Sequence, residues 1–181
     1  HAGRISRHKK AGQETVPLFL LGGLIMRRKV IGQKEFPGHV DITDPCYKRD
    51  VWCRMNDVPI REGLYTCIAW YHTENIVTDG RYSKDKRVGS LGIYLDGRIP
   101  PQRNMEQIGT IGVDAGLAGF FRYKPDYSDE EWTNFCTMIS KGSVWLTDEG
   151  FYSHSGFGDG CYGVYAQKVN QEIVALEIRF I

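Results

Sequence analysis

Glycine stands at every second position of Gly156-Phe157-Gly158-Asp159-Gly160, and the segment that follows, Cys161-Tyr162-Gly163-Val164-Tyr165-Ala166, is aromatic and β-branched. Alternate glycines either leave one face of an extended segment bare or supply the positive φ of tight turns. A dinucleotide loop would need G-x-G-x-x-G opening a helix. The spacing here is G-x-G-x-G and the continuation has strand composition, so a Rossmann-type nucleotide site is excluded. The stretch is expected to turn the chain between strands. Asp159, at its centre, either caps nearby backbone N–H groups as Asx residues do or faces a ligand.

Strand patterns recur along the chain. His39-Val40-Asp41-Ile42-Thr43 alternates, which puts His39, Asp41 and Thr43 on an exposed polar face and ends at the turn Asp44-Pro45-Cys46-Tyr47. Leu64 to Thr73 reads as a buried strand and Val88 to Leu95 as its partner; between them lie a turn at Thr78-Asp79-Gly80 and a basic stretch, Arg81 to Arg87, expected to be a solvated loop. From Ile108 to Phe121, glycines at 109, 112, 116 and 119 imply bulges or close backbone approach. They isolate Asp114 among small and apolar residues, where a carboxylate must be paired, hydrogen-bonded or neutralised. In the last strand Val174, Leu176, Ile178 and Phe180 form a core face.

One helix is signalled. Ser128 and Glu131 make a capping box, Tyr127 and Trp132 a hydrophobic staple, and Trp132, Phe135, Cys136 and Ile139 an apolar stripe that ends near Lys141-Gly142. Together these elements predict an α+β fold, mainly β: an antiparallel sheet or partly closed β-barrel with one helix, about 128–141, packed on it.

A chain of 181 residues fits one domain. Residues 26–181 are expected to form it, starting at Met26, with residues 1–25 a disordered segment lying upstream of the domain or foreign to it. The apolar run Val16 to Met26 is too short to span a bilayer as a helix, which takes about 20 residues. Residues 1–29 hold seven Lys/Arg and one acid, which leaves sixteen bases against twenty-one acids in 30–181, a net of −5. That balance argues against nucleic acid as a partner. Five cysteines without a C-x-x-C pair suggest neither a zinc ribbon nor a disulfide framework; free thiols point to a reducing, cytoplasmic setting.

Gly112-Val113-Asp114-Ala115-Gly116-Leu117-Ala118-Gly119-Phe120-Phe121 and Ser155-Gly156-Phe157-Gly158-Asp159-Gly160-Cys161-Tyr162-Gly163-Val164-Tyr165 resemble the V-D-A-G and S-G-x-G-D-G-x-Y motifs of a group of small, uncharacterised phage and bacterial proteins. The stretch Asp41 to Tyr47 resembles the group's early D-P-x-Y element, so the resemblance spans roughly Phe36 to Ile181. It implies a mobile-element accessory protein in the host cytoplasm and carries no catalytic residues.

Two functions compete on the residues. The first is a binding module without cofactor, whose glycine-rich loops shape a pocket for a small molecule or a host protein; its candidates are Asp114, Gly116, Ser155, Gly156, Gly158, Asp159, Gly160 and Tyr162. The second is a hydrolase dependent on a divalent metal, using Asp114 and Asp159 with His39, Asp41, Asp44 or His154 completing the ligand set. A Cys161 nucleophile beside His154 is a third, weaker arrangement. The two glycine-rich segments are expected to meet at one place.

Overall fold

The alternating segments pair into two antiparallel sheets. The structure, a computed structural model, describes residues 18–21 and 24–181. The expectation for residues 1–25 therefore lies outside the described residues at 1–17, 22 and 23, while Leu18 to Leu21 and Leu24-Ile25 are in paired strands. The larger sheet runs β1 (Leu18–Leu21), β2 (Leu24–Phe36), β5 (Gly63–Thr78), β6 (Arg81–Leu95), β12 (Glu172–Arg179), β11 (Gly160–Val169), β7 (Glu106–Val113). The smaller runs β4 (Met55–Pro59), β3 (His39–Thr43), β8 (Leu117–Phe121), β10 (Gly150–His154), β9 (Val144–Leu146). The mainly β, antiparallel expectation holds, but neither sheet closes on itself, so the barrel alternative gives way to two open sheets packed face to face.

Their inner faces make the main core. Tyr65, Cys67, Ala69, Leu91, Ile93, Leu176 and Ile178 come from the larger sheet, and Val40, Ile42, Ala118, Phe120 and Phe151 from the smaller. Phe180 joins them, whereas Val174 is only partly buried. The outer face of the larger sheet is covered too: Met26, Ile68, Trp70, Tyr94 and Ala175 pack with Met105 and Ile99 from the segment after β6. Glu177, on that face and 1% exposed, accepts from the Tyr94 hydroxyl at 2.7 Å and pairs with Arg179 at 3.0 Å. Tyr94 and Tyr165 lean along their strands over Gly92 and Gly163, where an added Cβ would fall 2.5 and 2.8 Å from the nearest ring carbons. An aromatic laid over a strand glycine restores the packing that the missing side chain forfeits.

The helix α1 (Asp129–Met138) lies on the outer face of the smaller sheet with its capping box formed. Tyr127, Trp132 and Phe135 pack against Leu117, Phe121, Tyr152 and Trp145. Phe135 is buried, Trp132 half-buried and Cys136 exposed, so the apolar stripe is narrower than its sequence pattern. The helix ends at Met138 with Ile139 as C-cap, ahead of Lys141-Gly142.

The basic stretch 81–87 is strand, not loop. Asp79 and Gly80 both have positive φ, 51° and 73°, the requirement of a two-residue type I′ hairpin turn. That turn sets the register at once, and the pairing runs unbroken from Thr78 with Arg81 to Tyr71 with Val88. Past the β2 pairing at His72, β5 and β6 continue alone as a two-stranded arm.

Candidate functional site

Both glycine motifs are corners between the sheets. Asp114 to Gly116 carries the chain from β7 in the larger sheet to β8 in the smaller, and Ser155 to Asp159 carries it back from β10 to β11. Because β7 pairs with β11 and β8 with β10, the corners lie side by side. Gly160 stands opposite Val113, and the Ser155 N–H donates to the Gly116 carbonyl at 3.0 Å. Gly116 and Gly156 have φ of 64° and 62°, the left-handed region that favours glycine. At Gly156 a Cβ would also come within 2.9 Å of the Phe180 Cβ.

The second corner closes on itself. Ser155 Oγ donates to the Gly158 carbonyl at 2.7 Å, and the Tyr162 hydroxyl lies 2.7 Å from the Gly158 carbonyl and 3.0 Å from that of Ser155. Arg87 anchors it to β6, donating to the Gly156 carbonyl at 3.1 Å with its guanidinium over the Phe157 ring. Ser155 and Tyr162 thus serve the loop's own backbone. The Asp159 side chain is exposed and accepts no hydrogen bond from the described residues, so it does not cap the turn.

The carboxylate that ties the corners down is Asp44. It is fully buried at the end of β3; Oδ1 accepts from the Cys46 N–H at 2.8 Å, and Oδ2 from the N–H groups of Asp114 and Ala115 at 2.8 and 2.7 Å. Burial pushes its pKa up and these amide bonds act the other way. The stretches 41–47, 112–121 and 155–165 therefore converge around these two corners. Asp114 itself is exposed, contrary to the expectation of a side chain needing rescue from an apolar setting; only its backbone N–H is engaged by Asp44. Its carboxylate meets the Tyr47 hydroxyl, whose pKa is driven up by burial first and then by hydrogen bonding to Cys53 and Asp114.

A second carboxylate is equally committed. Asp41 Oδ2 accepts from Arg49 Nη1 at 3.1 Å, Arg54 Nη2 at 3.2 Å and the Lys124 N–H at 3.3 Å, while Oδ1 takes the Asp57 N–H at 2.9 Å. The Arg54 guanidinium is buried and also donates to the Tyr47 carbonyl at 2.9 Å; burial lowers its pKa. Lys124 is buried over the Tyr127 ring, and burial lowers its pKa as well. The polar face of β3, expected to be exposed, is thus covered by the chain around residues 49–57 and 124. No local pattern marks Arg54 or Lys124, since both act on a strand distant in sequence.

These placements bear on the metal reading. Among the described residues no group of three or more His, Cys, Asp or Glu is arranged to hold a metal ion. Asp41 and Asp44 spend their oxygens on protein donors, His39 is half-buried opposite Pro59, and His154 is exposed with its ring against Trp145. The exposed Cys161 sits opposite Gly112, and no contact among the described residues joins it to His154.

An open cleft lies elsewhere, where β4 faces the β11–β12 turn. It has a volume of about 660 Å³, an apolar floor of Met55, Val58, Ile60, Ile108 and Ile173, and a polar rim that includes Asn56, Asp57, Lys168 and Glu172. Gly109 leaves room for Met55, whose sulfur would lie 3.0 Å from a Cβ there. Arg61 steadies the far wall, pairing with Glu172 at 2.8 Å and donating its N–H to the Ile173 carbonyl at 2.8 Å. Sequence reasoning missed this site because its lining comes from stretches far apart in the chain, 55–60, 108 and 168–173, and none of them carries a motif. No family model, curated protein or solved structure matches the chain. Among the described residues no helix is long and apolar enough to cross a membrane.

Proposed function

We propose that the chain is a binding module of accessory type that takes a small, largely apolar ligand or an apolar side chain of a partner protein in the cleft between β4 and the β11–β12 turn. The observation that carries the proposal is the cleft itself: about 660 Å³ with an apolar floor and a few polar groups at the rim, within the roughly 300–1,000 Å³ of most ligand sites. The glycine corners, first read as the pocket, serve in this proposal as the joint that holds the two sheets in register. A hydrolase is disfavoured because Asp41 and Asp44, two of its candidate metal ligands, are buried and saturated by amide and guanidinium donors.

The test is methyl NMR of the full chain titrated with a library of small apolar fragments. Shifts should concentrate on the methyl groups of Met55, Val58, Ile60, Ile108 and Ile173, and Ile108→Trp, which fills the cleft, should abolish them while the fold persists. Shifts confined to the Asp114 and Ser155 corners would return the site to the glycine loops, and the absence of any binder would refute the module.

A further inference from the structure

The arm formed by β5 and β6 sorts its charges by face. Residues opposite one another in an antiparallel pair share a face, and successive residues alternate. Tyr71 and Val88, which belong to the main core, define the inner face. Moving outward on that face come Thr73 with Lys86, Asn75 with Lys84, and Val77 with Tyr82. Moving the other way, β2 adds Arg27 beside Tyr71 and Lys29 beside Ala69. Five successive rows therefore present Lys29, Arg27, Lys86, Lys84 and Tyr82, with a row spacing of about 7 Å, twice the strand rise.

No acid stands on this face among the described residues from Ala69 outward. Both acids of the arm strands lie on the other face, each with a basic neighbour: Glu74 bonds His72 at 3.0 Å and Asp85 bonds Arg87 at 2.5 Å. Lys86 sits over the Tyr71 ring, 4.3 Å from its centroid, which holds the ammonium on the track. Tyr82 ends the track 85% exposed. At its inner end the track opens into a recess of about 330 Å³ between Lys29, Tyr71 and the Gly142–Val144 segment.

We propose that this face binds single-stranded nucleic acid. Two pairs of cations, Lys29 with Arg27 on β2 and Lys86 with Lys84 on β6, each span one row step of about 7 Å, close to the separation of successive phosphates in an extended strand. The path between the pairs crosses β5; together they match a polyphosphate backbone running obliquely over the sheet, and an exposed tyrosine offers a base a stacking partner. The net charge of −5 in residues 30–181 does not oppose this, because screening limits charge interactions to about 8–10 Å. What the ligand meets is the local face, not the sum over the domain.

The experiment is fluorescence anisotropy of the full chain with labelled oligo(dT) and oligo(U) of about twelve nucleotides, within the site sizes of single-strand binders. Four phosphate contacts predict a plot of log K against log salt with a slope of about −3, at ~0.7 per neutralised phosphate. The pair Lys84→Glu, Lys86→Glu should weaken binding more than tenfold and flatten the slope. Tyr82→Ala should weaken it about tenfold, in the range measured for lost base stacking, with the slope unchanged. Arg81→Glu is the decisive control, since Arg81 lies on the same strand but faces the other way; it should cost little. Equal loss in Arg81→Glu would reduce the effect to bulk charge and overturn the proposal. So would equal binding of heparin or inorganic polyphosphate with no dependence on Tyr82, or no binding of either oligonucleotide at low salt. Ile108→Trp should leave this binding intact, which separates its fate from that of the cleft.

Discussion

Asp44 and Asp159 are the pair of residues on which the corner can be tested. Removing the Asp44 carboxylate leaves the N–H groups of Cys46, Asp114 and Ala115 without their acceptor, and each buried donor so stranded costs about 1–3 kcal/mol unless water reaches it. Asp44→Ala should therefore lower the unfolding free energy by roughly 2–4 kcal/mol. Asp159→Asn, at an exposed side chain that accepts no hydrogen bond from the described residues, should stay within about 0.5 kcal/mol of the parent. Denaturant unfolding of the two variants reads both numbers, and a large loss in Asp159→Asn would restore the capping role to that residue.

The thiols give a second reading at the same scale. Burial pushes Cys67 up to about 12 and raises Cys46 further, in its case with the Asp44 carboxylate adding to the shift. The thiolate is the reactive form, so a raised pKa lowers reactivity at any given pH. At pH 8.5 a thiol with a pKa of about 12 is only roughly one part in three thousand ionised. Alkylation of the native chain followed by mass spectrometry should mark the exposed Cys136 and Cys161 and spare Cys46 and Cys67. Raising the pH through 9 should still not recruit Cys46 or Cys67. If Cys161 reacted much faster than Cys136, an activating base would have to be sought for it.

At the scale of elements, α1 shows which local signals suffice. Ser128 and Glu131 exchange both bonds of the capping box, which depends on residues three apart and therefore forms wherever the helix does. Its packing is another matter. Trp132 is half-buried and Phe135 fully so; Phe135→Ala should cost about 3–5 kcal/mol as a deletion from a closed core, and Trp132→Ala roughly 2–3 kcal/mol because part of the ring already meets water. Thermal unfolding of the two variants checks the order, which the stripe pattern by itself does not give. The arm shows the complementary case. Its Asp-Gly turn was legible, but the charged run after it looked like loop because lysine and arginine carry little strand propensity, and pairing with β5 overrides that preference.

In the whole molecule, the mainly β class, the helix with its start, the need for corners at the glycine motifs and the core face of β12 all follow from the sequence. Each depends on contacts within a few residues or on the period of two. The tertiary structure alone decided how those strands divide between two sheets, since alternation tells a strand which face is apolar but not which neighbour it pairs with. It also decided that Asp44, seventy residues away, caps the Asp114 corner, and that Arg54 and the Lys124 backbone N–H close on Asp41. An acceptor is chosen by distance in space, and a buried amide takes whichever carboxylate the packing delivers. The same holds for charge: along the chain the acids and bases of residues 73–87 are intermixed, and only the hairpin register leaves Lys84 and Lys86 on a face without an acid, with Glu74 and Asp85 on the other beside Arg81 and Arg87.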